Sequence, residues 1–125
     1  RYFDDEHQRP RPESFREDFH LATKSKRDDL YLHLRAAAES GWDFSSRWLE
    51  DANDLSTIDT ANILPVDLNC LLYHLERILG KTNEAERRRQ AIEKYFWSTN
   101  DEFFTDFHLI KKKSTGRLTL AGLFP

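Results

Sequence analysis

The 125 residues predict an all-α fold with one short β-hairpin near 101–118. Three observations carry that expectation. The first is a wide apolar stripe at helical spacing, Leu68, Leu71, Leu72, Leu75, Ile78 and Leu79. The second is a pair of helix stops, Gly41 and Gly80, each directly after such a run. The third is a soluble helical composition, 33% charged and 13% aromatic. No run approaches the roughly 18 apolar residues that a membrane helix needs. Net charge is −3, so no basic field draws the chain to nucleic acid or anionic lipid. A single cysteine, Cys70, excludes an internal disulfide framework and reads as a buried small hydrophobe.

Taken in order, Arg1 to Pro10 is polar and aperiodic, an extended loop. Pro10 and Pro12 hold the residues before them out of the helical region. Pro12 suits a first helical position, and Glu13, Glu17 and Asp18 favour the positive end of a helix dipole. Phe15, Phe19 and Ala22 lie on one face of that helix, which ends near Lys24. Ser25 to Asp28 is a polar link. Asp28 or Asp29 caps the next helix, Leu30 to Glu39, whose apolar face is Leu30, Leu34, Ala37 and Ala38. Glu50 to Asn62 reads as a loop with at most one helical turn.

Leu64 to Leu79 is the best helix, with Pro65 in its first turn and Asp67 near its N-terminal end. Asn83 and Glu86 have capping-pair spacing for a helix from Glu84 to Trp97 that buries Ala85, Ile92, Tyr95 and Phe96. Arg87-Arg88-Arg89 reads as a solvated face. Phe103, Phe104 and Phe107 occupy both parities of a short strand or hairpin arm, Lys111 to Arg117 is a polar turn, and Thr119 starts one more helix.

The chemically distinctive stretch follows Gly41. Asp43 stands between Trp42 and Phe44, with Ser45, Ser46 and Arg47 directly after. Two readings compete. Asp43 is a favoured N-cap for a short helix over Phe44–Leu49. Alternatively, the flanking aromatics shield its carboxyl, and desolvation lets such an acid keep its proton near neutral pH. The five histidines, His7, His20, His33, His74 and His108, form no HExxH and no ligand pair four residues apart, so no metal or cofactor is expected.

Longer strings narrow the choice. Ala38-Glu39-Ser40-Gly41-Trp42-Asp43-Phe44-Ser45-Ser46-Arg47-Trp48 resembles the trehalase-family segment that carries the catalytic acid. Pro10-Arg11-Pro12-Glu13-Ser14-Phe15-Arg16-Glu17-Asp18 resembles the family's PRPESYRED segment, with Phe15 in the tyrosine position. Ile63 to Tyr73 resembles the next helix entry. The order of the three strings also matches.

The resemblance implies part of an (α/α)6 barrel, about two helix pairs of the toroid. Residues 1–125 would then be a fragment of a single catalytic domain, cut at both ends. It implies hydrolysis of α,α-trehalose to two glucose molecules with inversion, and Asp43 as general acid. Arg11, Glu13 and Gly41 match family positions that contact the sugar. An arginine fork suits paired oxygens, a glutamate accepts from hydroxyls, and a glycine lets the backbone approach. Without the resemblance, Glu13 merely favours a helix start and Arg11 pairs with an acid. The family's general base lies beyond Pro125, so the fragment alone should be inactive. The implied partner is the small sugar alone, with a monomeric parent, in the periplasm or the cytoplasm of a bacterium. A non-catalytic helical interaction module and another helical-barrel glycosidase are the alternatives.

Overall fold

The computed structural model describes residues 1–6 and 8–125, so the reading of His7 lies outside the described residues. The chain divides into two units, Arg1–Asn62 and Ile63–Pro125. It is helix-rich, with four α-helices and a few two-residue strands. Among the described residues, no helix is long and apolar enough to cross a membrane.

The first unit is built on two helices, α1 (Phe15–Ser25) and α2 (Leu30–Ser40). A single 3-10 turn, Pro12–Ser14, precedes α1, as Pro12 at a helix start requires. The expected apolar face of α1 is not its buried face. Phe15 and Phe19 stack on each other with ring centroids 6.4 Å apart and stay more than half exposed. The residue of α1 that is buried is Asp18, because its carboxylate has a buried cationic partner described below.

Helix α2 supplies the core of this unit with Leu30, Leu34, Ala36 and Ala37, all fully buried, and Ala38 half-buried. Asp29 occupies its N-cap position but makes no capping bond. Its carboxylate instead accepts from Arg27 Nε at 3.0 Å and from His33 Nε2 at 3.1 Å. His33 is fully buried, and its Nδ1 accepts from the Ala61 N–H at 3.2 Å. That bond fixes the neutral Nε2–H tautomer.

The segment from Glu50 to Asn62 has more structure than one helical turn. It holds two 3-10 turns, Leu55–Thr57 and Thr60–Asn62. Arg27 Nη1 donates to the carbonyls of Ser56 and Ile58, at 2.8 and 2.9 Å, and Ile58 is fully buried. Long-range bonds to backbone groups order this segment, and they leave no periodic trace in its composition.

The second unit opens on β1 (Ile63–Leu64), so the long helix starts later than expected, as α3 (Val66–Ile78). Leu64 is drawn into a strand by antiparallel pairing with β4 (Phe107–His108), and Asp106 accepts from the Val66 N–H at 2.9 Å. Much of the expected α3 stripe is uncovered: Leu71, Leu75, Ile78 and Leu79 are exposed. Helix α4 (Thr82–Phe96) buries Ala85, Ile92 and Phe96, whereas Tyr95 is 43% exposed.

The Asn83–Glu86 capping pair does not form. Lys81 is at the N-cap, and Glu86 accepts from Arg89 and Gln90. Nor is the arginine run only a solvated face. Arg88 bridges the helices, with Nε and Nη2 on Glu76 at 2.9 and 2.7 Å and Nη1 on Asn69 at 2.9 Å. Burial pushes the half-buried Cys70 thiol up to about 11.

The hairpin expected near 101–118 is present as two pairings. β2 (Trp97–Ser98) pairs with β3 (Phe103–Phe104), and β4 pairs with β5 (Lys113–Ser114), all antiparallel. The helix expected from Thr119 is a 3-10 turn, Leu120–Leu123. At its centre a Cβ on Gly122 would lie 2.2 Å from the Phe104 carbonyl oxygen, so only glycine fits there.

Candidate active site

All four residues singled out from the sequence lie in the first unit, on two loops. One loop leads into α1 and carries Arg11 and Glu13. The other follows α2 and carries Gly41 and Asp43.

The second loop is tightly specified. Gly41 ends α2 with φ +68°, where a side chain would be strained, and a Cβ there would meet nothing within 4 Å. The space in front of its backbone is therefore open. Ser40 Oγ donates to the Ala37 carbonyl at 2.6 Å and accepts from the Trp42 N–H at 2.9 Å, joining helix end and loop through one hydroxyl. The Trp42 carbonyl then accepts twice, from the Ser45 N–H at 3.1 Å and from Trp48 Nε1 at 2.8 Å. Asp43 and Phe44 are the two central residues of the resulting turn. Phe44 has φ +59°, an unusual backbone for a bulky residue, and such strain costs about 1–3 kcal/mol.

This turn removes one of the two readings of Asp43. The short helix after it is a 3-10 turn over Ser46–Trp48, and its N-cap is Ser45, whose hydroxyl accepts from the Arg47 N–H. Asp43 lies two residues too early to cap it. The expected shielding is also absent, because the Asp43 side chain is exposed. The flanking rings are engaged elsewhere. Trp42 and Trp48 both lie under the Arg47 guanidinium, with ring centroids 5.1 and 4.5 Å from its Cζ. The Phe44 ring faces Arg11 Cζ at 4.7 Å.

Arg11 is the buried centre of the other loop, 6% exposed. Its backbone N–H and Nε donate to Asp18 Oδ2 at 3.1 and 2.9 Å, and Nη2 donates to Oδ1 at 2.7 Å. The guanidinium pKa is raised, first by the hydrogen bond to Asp18 and in smaller part by the charges of Glu13 and Asp43, against desolvation. Arg11 therefore lies within electrostatic reach of both candidate carboxylates. Glu13 is exposed in the 3-10 turn beside it. The loop is anchored to α2 by Arg35, which donates to Asp4 at 2.9 Å and to the Pro10 carbonyl at 3.3 Å.

The two loops thus bring together a cationic fork, two exposed acids and an open backbone position. This is a donor and acceptor set suited to hydroxyl-rich ligands. Sequence reasoning missed the residues that hold the set in place, Asp18, Ser45 and Arg47. For Arg47 a signal existed, an arginine next to Trp48 and five residues after Trp42.

The whole chain, residues 1–125, matches the family model described as Trehalase. It is 42% identical to a periplasmic trehalase of Citrobacter koseri and 43% identical to one of Pseudomonas aeruginosa. A periplasmic trehalase of Salmonella paratyphi B is 42% identical. Each alignment covers 100% of this chain and 25%, 26% and 25% of the relative, respectively. The chain belongs to the trehalase family and spans about a quarter of the length of the curated relatives it matches.

Proposed function

We propose that this chain is the acid-bearing segment of an α,α-trehalase, a glycosidase that hydrolyses trehalose to two glucose molecules with inversion. Asp43 protonates the oxygen that bridges the two anomeric carbons. Arg11 donates to sugar oxygens, Glu13 accepts from sugar hydroxyls, and the Gly41 backbone lies against the ring. Inversion requires a second carboxylate roughly 6.5–9.5 Å from the first, to activate water on the opposite face. That base comes from sequence outside these 125 residues, so the segment alone does not turn over. In this reading the two helix pairs are part of an (α/α)6 barrel. The exposed carboxyl of Asp43 is covered by substrate and by the remainder of the enzyme, which works as a monomer on a small sugar.

The observation that carries the reading is the convergence on Arg11, whose guanidinium feels both Glu13 and Asp43 and faces the ring next to Asp43. Membership of the family supplies the substrate. The test is glucose release by the full-length protein from a panel of trehalose and maltose. Trehalose turnover is expected, with Asp43→Asn lowering it by about 10²–10⁴-fold, the range of a general acid. A folded Asp43→Asn protein with near-normal rate rules out the acid role. Maltose turnover without trehalose turnover rules out the substrate.

A further inference from the structure

We infer that Asp18 is a positioning residue for Arg11, and that Phe44 carries that position across to the Asp43 turn. The inference rests on the proposed reading of Arg11 and Asp43. Asp18 sits in the first turn of α1, seven residues after Arg11, and the Pro12–Ser14 turn between them doubles the chain back. Its carboxylate takes three donors from that one residue, the backbone N–H, Nε and Nη2. Side-chain exposure is 8% for Arg11 and 4% for Asp18, so water does not compete for these bonds.

A bidentate fork fixes the plane of the guanidinium as well as its location. With Nε and Nη2 on Asp18, the remaining edge, Nη1, makes no hydrogen bond to the described residues. Its Cζ lies 4.7 Å from the Phe44 ring centroid. Phe44 in turn is the second central residue of the turn whose first is Asp43, and its backbone there is left-handed. One edge and one neighbouring ring are thus determined together. A salt bridge serving stability alone would need only the Asp18 edge. Here the free edge and the ring contact place the same cation against the turn that holds the proton donor.

The experiment uses the full-length protein with Asp18→Asn, Asp18→Glu and Phe44→Leu, each checked for folding by circular dichroism. Three readouts are taken: kcat, KM for trehalose, and the ¹H–¹⁵N signal of the Arg11 Nε–H. In the wild type that signal is expected in slow exchange with water. Asp18→Asn should abolish it and lower kcat/KM by about 10²-fold, the effect of misplacing a binding group by about 1 Å. Asp18→Glu should recover part of both. Phe44→Leu should lower kcat roughly tenfold and leave the Arg11 signal in place. A folded Asp18→Asn protein with wild-type kcat and KM overturns the inference. So does Phe44→Leu at wild-type rate, which remains informative if both Asp18 variants fail to fold. A wild type inactive on trehalose removes the functional reading and this inference together. An active wild type with indifferent variants removes this inference alone.

Discussion

The two units of the chain bury different things. Arg1–Asn62 hides two guanidinium groups, Arg11 and Arg47, together with the Asp18 carboxylate, whereas Ile63–Pro125 hides the carboxylates of Asp67 and Asp106. Ile63–Pro125 leaves aliphatic side chains uncovered, with Leu71, Leu75, Ile78, Leu79 and Ile110 at 49% exposure or more, where the exposed large apolar side chains of Arg1–Asn62 are phenylalanines such as Phe15 and Phe19. Its helix-bridging ion pair, Arg88 with Glu76, is only partly covered. Buried charge is costly unless every partner is placed, whereas an exposed apolar face costs little until something can cover it. The buried cations lie in the first unit, which is also where the candidate site lies.

Substitutions can break that contrast. The largest effect is expected from Asp18→Ala, which strands a buried guanidinium. Loss of one partner from such a pair costs about 3–5 kcal/mol, measured by urea unfolding. A loss below about 1 kcal/mol would show that the buried charges of the first unit are not what specifies it. Leu34→Ala, at a fully buried position of α2, should cost about 2–5 kcal/mol and is the apolar control for the same unit. In the second unit, Gly122→Ala forces a Cβ against the Phe104 carbonyl and should cost about 1–3 kcal/mol. Amide exchange would place that loss in α3 and β3 rather than in α2.

A pH series sharpens the contrast. Burial pushes the His33 imidazole below its usual range, against the opposing pull of Asp59 and Asp29. The unfolded chain therefore binds the proton more readily than the folded one. Stability contributed by neutral His33 is complete above about pH 6.5 and falls as pH drops from there toward the depressed folded value. His33→Gln should flatten the midpoint between pH 7.5 and pH 5. An unchanged slope in that variant would assign the acid sensitivity elsewhere. The smallest effect is expected from Ile78→Ser on the open face of α3. Its cost should stay within about 0.5 kcal/mol by urea unfolding, and a larger loss would mean that this face is covered.

What could be read in advance follows the same division. Helix existence was legible from Leu30 to Ser40 and from Val66 to Phe96, because periodicity and glycine stops are local signals. The position of Asp43 just past a glycine stop was legible for the same reason. Its environment was not, since whether Trp42 and Phe44 cover Asp43 or stack on arginines is decided by residues outside that turn. The burial of Asp18 was equally hidden. Nothing in Phe15, Phe19 and Ala22 announces that Asp18 is the buried residue of α1 until Arg11 is placed against it. Leu64 was assigned to a helix because its strand partner, Phe107, lies far along the chain.

Position 44 answers to two selections that pull against each other. Its backbone dihedral rewards glycine or asparagine, and its contact with Arg11 rewards a ring. Phenylalanine serves the second at the expense of the first, so a saturation library at this site should yield separate winners for heat tolerance and for turnover. The chain as it stands accepts a permanent local compromise.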